Sequence, residues 1–228
     1  MNTKPRPSFP RSTIRFRSLG FTLIELLTVI AIISILAAII IPTVGKVRQA
    51  AQLSRATSNI RQLQLANVLH ASENKGRYVA PKLTGSYWWY QQADYYKFLG
   101  FNGTNPADAF AAIATYRGTV NDLLKTYPDF GYNRTGLLDA QLPVGYSESE
   151  IPNPSRRIAF MDSLFTLVRV NDKNLYNGTE LRHSSSSFEP AYRHNGKALV
   201  AFWTASVRLI PRAEAIASAN EDMWYPNR

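Results

Sequence analysis

The 21 residues from Phe21 to Ile41 contain a single ionisable side chain, that of Glu25. At about 1.5 Å of rise per residue, a helix of this length spans roughly 30 Å, the thickness of the hydrocarbon layer of a membrane. The run therefore predicts a membrane-spanning helix, which constrains the fold more than any other feature of the chain. A carboxylate within the bilayer costs about 3 kcal/mol on insertion scales, so Glu25 is a candidate functional residue that requires a partner.

Basic residues before and after the apolar run predict its orientation. Three of them follow the run, whereas the first 20 residues hold no acid and five basic side chains, which are Lys4, Arg6, Arg11, Arg15 and Arg17. This bias predicts a cytoplasmic N-terminus and an exported C-terminal part. Without the first 20 residues the formal charge falls from +10 to +5, because five positive charges are removed. Such a modest excess does not predict nucleic acid as a partner.

The order of a basic leader, Gly20, Phe21-Thr-Leu-Ile-Glu25 and an apolar run resembles the N-terminal signal of type IV pilins and type II secretion pseudopilins. The resemblance implies that prepilin peptidase cuts between Gly20 and Phe21 and that the new amine of Phe21 is methylated. It also implies that Glu25 pairs with the terminal amine of a neighbouring subunit in a helical filament. The implied partners are other pilin or pseudopilin subunits, the peptidase, an inner-membrane assembly platform and the lipid bilayer.

Two other interpretations of this segment are weaker. A secretory signal peptide has its apolar region before the cleavage site, whereas Gly20 precedes the apolar run here. A plain signal anchor would leave the combination of Gly20, Phe21 and Glu25 to chance. The predicted function is therefore a filament subunit of the inner membrane, with its head in the periplasm or in an extracellular filament. The signal is shared by secretion pseudopili and by adhesive and DNA-uptake pili.

The predicted organisation has four parts. A cleaved leader covers residues 1–20, and the transmembrane half of a long helix covers 21–41. The exported half of the helix covers 42–72, and a head covers 73–228. Pro42 lacks a backbone donor and predicts a bend in the helix. In the exported half, one face should pack on the head, because apolar residues recur there at helical spacing, namely Leu53, Ala56, Ile60 and Leu63.

The head should be an α+β domain with a small antiparallel sheet, held by packing alone because the chain has no cysteine. β-branched and aromatic residues predict strands at residues 157–162, 165–170, 198–203 and 206–210. A break at Asp162-Ser163 predicts a hairpin between the first two. Residues 127–133 are rich in turn formers, and two short helices are expected at 106–113 and 120–124.

Three C-terminal elements resemble, in order, those of a subset of pilin-like chains. They are Phe130–Asn133, the Pro-Ser segment leading to Asp162, and Arg193–Gly196. That subset places Asp-Gly where this chain has Thr204 and Ala205. The tight Asp-Gly hairpin of that subset is therefore lost, and any role of its acid does not transfer to this chain. The strand at 206–210 should still return antiparallel to the strand at 198–203.

An aromatic segment around Trp88 and Trp89 allows two interpretations. Large rings fill cores, and they also stack on sugars and bases. The first interpretation is preferred, and the second gives the alternative function of a minor pilin that binds DNA or glycan through Trp88 and Trp89.

The sequence does not predict an enzyme. A third hypothesis, a membrane-anchored periplasmic hydrolase, would combine Ser184 and His183 with Asp162 or Asp172, but no nucleophile elbow surrounds the serine. No metal-binding spacing and no phosphate-binding glycine loop occur, so neither a metal nor a cofactor is predicted.

Overall fold

The computed structural model describes residues 22–83, 88–100, 129–175 and 188–226. Gly20, Phe21, the two short helices predicted within 101–128, and His183 with Ser184 lie outside these ranges. The chain divides into two compact units, residues 1–47 and 48–228. Each unit is described by itself below.

The long helix α1 runs from Leu23 to Glu73, within two residues of its predicted bounds. It ends because Lys75 and Gly76 adopt left-handed backbone conformations, with φ of 55° and 78°. The Gly76 amide then donates to the carbonyl of Ala71 at 2.8 Å, which satisfies a carbonyl of the last turn. Two successive left-handed residues, Lys75 and Gly76, thus end the helix.

Within the second unit, one face of α1 packs in the head as predicted. Ala56, Ile60 and Leu63 are fully buried, and Leu53 packs against the same cluster. The opposite side of the helix is exposed at Arg48, Arg55, Ser58 and Gln62. The helical spacing of apolar residues thus identified the buried face correctly.

The head contains a five-stranded sheet in the order β3-β1-β2-β4-β5. The strands are β1 (Phe130–Asn133), β2 (Ile158–Asp162), β3 (Leu167–Val168), β4 (Lys197–Phe202) and β5 (Val207–Pro211). Three of the four pairings are antiparallel, and the pairing of β1 with β3 is parallel. Among the described residues, two further short α-helices are α2 (Ala93–Tyr96) and α3 (Arg212–Ile216). The α+β class and the mainly antiparallel sheet are confirmed.

Two predictions in this region were wrong. The segment read as turn-rich contains β1, and all four of its residues are buried. The hairpin at Asp162-Ser163 does not form, because β1 lies between β2 and β3 and pairs with both. Gly131 permits this arrangement, since a Cβ atom there would lie 2.8 Å from Val168 Cγ1 and 2.9 Å from the Leu167 carbonyl carbon.

Both faces of the sheet are covered, which explains the unbroken apolar sequence of β4. Leu199 and Ala201 belong to the cluster that contains the buried face of α1. Ala198, Val200 and Phe202 belong to a second cluster on the other face. That second cluster includes Ala215 of α3 and, from a following 3₁₀ helix, Met223 and Trp224. A strand buried on both faces has no reason to alternate apolar and polar residues.

The turn between β4 and β5 remains tight. Ala205 adopts a left-handed conformation with φ of 61°. Its amide donates to the Phe202 carbonyl at 2.9 Å, and the Phe202 amide donates to the Ser206 carbonyl at 2.9 Å. Alanine thus takes the position that glycine favours, so the turn stays tight without Asp-Gly, and the predicted antiparallel return of β5 is confirmed.

Candidate functional site

Thr22 and Glu25 cap the start of α1 reciprocally. The backbone amide and the hydroxyl of Thr22 donate to Glu25 Oε2 at 2.9 and 2.7 Å, and the Glu25 amide faces Thr22 Oγ1 at 3.3 Å. This is the capping box formed by a threonine followed three residues later by a glutamate. The spacing is visible in the sequence, but the sequence interpretation of Glu25 overlooked it.

The cap uses only one oxygen of the Glu25 carboxylate. Both donors from Thr22 bind Oε2. Among the described residues, none donates a hydrogen bond to Oε1 of Glu25. The carboxylate is therefore oriented by its own helix, with one oxygen available to a donor from outside the described chain.

Other polar side chains in the apolar half of α1 are satisfied within the helix. The hydroxyls of Thr28, Ser34 and Thr43 donate to the carbonyls of Glu25, Ile30 and Ile39 at 2.7–2.9 Å. A hydroxyl bonded to its own helix backbone is compatible with a lipid environment, where unsatisfied polar groups are costly. Between Leu23 and Gly45, Glu25 is the only charged residue. Hydrogen bonds within the helix do not neutralise its charge.

The apolar half of α1 leaves its side chains on the surface. From Thr22 to Val47, every residue is exposed except Ala37, which is half-buried. The exposed residues include long aliphatic side chains on all sides of the helix, such as Ile24, Leu27, Ile35 and Ile41. The helix is long and apolar enough to cross a membrane by length and composition. A helix that is apolar all round needs an apolar environment or neighbouring helices.

Comparison with known proteins agrees with this geometry. Residues 15–41 match the family model described as the prokaryotic N-terminal methylation motif. This segment is similar to the N-terminus of type IV pilin-like proteins. The chain is also 48% identical over 62 residues to a protein named "Type IV major pilin protein PilA" from Myxococcus xanthus (strain DK1622). That alignment covers 27% of this chain and 28% of the relative. No solved structure matches.

Pro42, the predicted bend, lies within α1, and the helix continues on both sides of it. The missing amide of Pro42 therefore does not end the helix. The bend itself remains a prediction.

The two tryptophans that were candidate ligand contacts have different surroundings. Trp89 is fully buried, and its Nε1 donates to the Thr166 carbonyl at 2.6 Å. Trp88 is half-buried and packs edge-on against Phe165, with the ammonium of Lys82 4.9 Å from its ring centroid. Trp89 therefore has no surface to offer a ligand in this structure, whereas Trp88 retains some.

Asp162, one of the acids in the hydrolase hypothesis, belongs to a buried polar cluster. Its Oδ2 accepts from the Leu199 amide at 2.7 Å and lies 3.3 Å from His194 Nε2. Arg193 Nη1 lies 3.8 Å from Oδ1 and also donates to the Asp129 carbonyl. These contacts join two of the three elements that resemble the pilin-like subset, the segment that ends at Asp162 and Arg193–Gly196, and they also reach Asp129, just before the third. They give Asp162 a role in holding the sheet together. Within the described ranges, no three His, Asp or Glu side chains are grouped so as to hold a metal ion.

Proposed function

We propose that this chain is a structural subunit that assembles, through α1, into a type II secretion pseudopilus or a type IV pilus-like filament. The single observation that carries the proposal is the exposed apolar half of α1, whose only charge before Lys46 is the capped carboxylate of Glu25. The methylation motif and the pilin relative support the same assignment. In such a filament, apolar helix surfaces pack against each other, and contacts between copies that do not close generate a helix.

In this proposal, prepilin peptidase removes residues 1–20 and the Phe21 amine is methylated. The precursor sits in the inner membrane with its N-terminus in the cytoplasm and its head in the periplasm. An assembly platform then transfers it from the bilayer into the filament. Mass spectrometry of the native protein tests the processing step, with a methylated Phe21 at the N-terminus as the expected result. A mature chain that retains residues 1–20, or that begins beyond Ile41, would contradict the proposal.

Glu25 would act as the contact that sets subunit register. A desolvated carboxylate and a desolvated ammonium each lose favourable hydration, and each offsets the cost of the other only when they meet. In a single subunit, Glu25 Oε2 already accepts two hydrogen bonds from Thr22 while Oε1 accepts none from the described residues. The terminal amine of an adjacent Phe21 is a donor of the required charge. Docking in the correct register therefore supplies the missing partner.

Two substitutions separate this role from simple helix capping. Glu25→Gln keeps an acceptor for the Thr22 donors but removes the charge, whereas Glu25→Ala removes both. Pairing with an ammonium predicts that both variants are processed normally and fail to enter filaments. Capping alone predicts that Glu25→Gln assembles like the unaltered chain. Filament yield is measured by shearing and immunoblotting, with cleavage of each precursor as the control for membrane insertion.

A further inference from the structure

A cleft opens in the head where β1 and β3 end side by side. The two strands run parallel with Asn133 opposite Val168, so the next residues, Arg134 and Arg169, emerge at the same end of the sheet. The cleft has a volume of about 260 Å³ and is lined by Arg134 to Leu138, Arg169 to Asn171, and Tyr225. Parallel pairing thus brings together two arginines that are distant in the sequence.

Arg134 is held in place, but only some of its guanidinium N–H donors form hydrogen bonds with the described residues. Its side chain is 12% exposed, and its Nη2 donates to Asp139 Oδ1 at 2.7 Å. Asp139 is 87% exposed, so this ion pair is open to water and contributes little to stability. Among the described residues, Arg134 makes side-chain hydrogen bonds through Nη2 only. An exposed carboxylate on a largely buried guanidinium is a contact that another carboxylate can replace.

Arg169 is fixed more firmly beside it. Its Nε donates to Asp172 Oδ2 at 2.5 Å, and the same oxygen accepts from the Phe188 amide at 3.1 Å. The guanidinium carbons of Arg134 and Arg169 lie 5.1 and 4.8 Å from the centroid of the Phe188 ring. One aromatic ring therefore holds both guanidiniums, which repel each other unless anions lie nearby.

Basic side chains near Asp139 lower the pKa of its carboxyl group. The hydrogen bond from Arg134 lowers the pKa of Asp139, and the charge of Arg134 lowers it further. Lys82 and Arg169 act in the same direction with smaller effects. Three basic side chains thus favour a negative charge at the position that the Asp139 carboxylate occupies.

We propose that this cleft binds a hexuronate unit of an acidic polysaccharide, with the sugar carboxylate on Arg134 and Arg169. Guanidinium groups bind carboxylates through paired N–H donors in a fixed geometry. The cleft is slightly smaller than sites for drug-sized ligands, which begin at about 300 Å³, and this suits a single sugar ring. The ring of Tyr225 offers an apolar surface to sugar C–H groups, and Asn171 offers amide groups to hydroxyls.

Nucleic acid fits the same region less well. Binding of single strands depends on exposed aromatic rings on which bases stack. Here Phe165 is 6% exposed, and two guanidiniums lie against Phe188. Among the described residues, Tyr225 is the one aromatic residue that lines the cleft, whereas single strands stack successive bases on several rings, so the cleft favours a single carboxylated sugar.

Binding is tested with the full-length chain in detergent, by calorimetric titration with sodium glucuronate and by retention on immobilised alginate, a polyuronate. Arg134→Gln should weaken binding of both probes by about tenfold or more, the range for a charge-assisted hydrogen bond. Arg208→Gln is the matched control. Arg208 lies on β5, at the other edge of the sheet, and forms an exposed ion pair with Glu214 at 3.1 Å. This control should bind like the unaltered chain.

A second variant gives an effect of opposite sign. Asp139→Asn removes the charge that competes with the sugar carboxylate, so affinity for glucuronate should rise by about threefold or more. A purely structural ion pair would leave the affinity unchanged in this variant. The proposal is overturned if glucuronate and alginate fail to bind, if Arg134→Gln binds as tightly as the unaltered chain, or if Asp139→Asn does not gain affinity. Tighter binding of a thymidine oligonucleotide than of alginate would overturn the choice of ligand class.

Discussion

The two halves of α1 share one regular backbone but differ in what their side chains contact. Between Leu23 and Val47 none of the side chains is buried, although most are aliphatic. From Arg48 to Glu73 eight residues are buried, and these include the polar residues Gln64, Asn67 and His70. The first half is apolar all round, whereas the second half is apolar on the face that packs in the head.

This difference shows that one helix can be stabilised in two ways. In the second half, contacts within the chain determine which side chains are present, for example Asn67, whose Oδ1 accepts a hydrogen bond from the Val79 amide. In the first half, the sequence is matched to surroundings that the described residues do not supply. A substitution should therefore alter folding of the head in the second half and insertion or assembly in the first.

The largest difference should come from placing the same charge in each half. Ile60 is fully buried and Ile35 is 64% exposed. Ile60→Asp should destabilise the head by about 4 kcal/mol or more, because it buries an unpaired charge. Ile35→Asp should leave the head intact and reduce membrane integration, since an acid near the bilayer centre costs about 3 kcal/mol.

Tryptophan fluorescence during urea unfolding in detergent measures the head alone. All 4 tryptophans lie between residues 88 and 224, within the second unit. Carbonate extraction of membranes measures integration separately. Equal loss of head stability in the two variants would contradict the distinction between the halves.

A buried amide in the second half should have the next largest effect. Asn67 Oδ1 accepts from the Val79 amide at 2.9 Å, and its Nδ2 donates to Gln64 Oε1 at 3.2 Å. Asn67→Ala leaves a buried backbone donor without a partner, so the free energy of unfolding should fall by about 2–3 kcal/mol. Gln62→Ala is the control on the exposed face of the same helix, with an expected change below about 0.5 kcal/mol. A similar loss in both variants would show that the Asn67 contacts contribute nothing specific.

The sequence predicted those parts of the fold in which local pattern and burial agree. The spacing of Ala56, Ile60 and Leu63 identified the face of α1 that packs in the head, and β4 and β5 were placed within one residue at each end. The strand β1 was missed because Gly131 and Asn133 are turn formers by local preference. Tertiary contacts explain why these two residues occur in a strand. Gly131 lies against β3, and Asn133 Nδ2 donates to the carbonyls of Ile158 and Trp224.

The candidate sites divide in the same way. The capping partner of Glu25 is three residues away, so the spacing of Thr22 and Glu25 contains all the information needed. Arg134 and Arg169 are adjacent only because β1 pairs parallel with β3. No local pattern connects those two arginines, since the pairing depends on strand order in the folded sheet.

Protonation of His70 should weaken the second half at acid pH. Burial lowers the pKa of His70, although a hydrogen bond to the Arg77 carbonyl at 3.1 Å acts in the opposite direction. The unfolded state then binds a proton more readily than the folded state, whose pKa lies below about 6.5. The contribution of His70 is therefore complete above pH 6.5 or so and is lost as the pH falls through the folded pKa.

This effect is isolated by comparing the unaltered chain with His70→Gln. All other titratable groups are present in both proteins. The difference in unfolding free energy between them should shrink or reverse below pH 6 or thereabouts, and it should be constant between about pH 7 and 8. A difference that does not change with pH would rule out this role for His70.

The smallest effect on stability is expected at Leu65 and Leu69, which lie on the outer side of the second half and are 46% and 49% exposed. Leu65→Gln and Leu69→Gln each remove little buried area, so each should change the free energy of unfolding by about 0.5 kcal/mol or less. The two side chains are neighbours on one helix face because they are four residues apart. If the outer side of this half faces water in the assembled state, the double variant should also form filaments normally. Loss of filaments with an unchanged unfolding midpoint would instead show that a neighbouring subunit covers this face. The contrast between the two halves of α1 would then hold for the single chain but not for the filament.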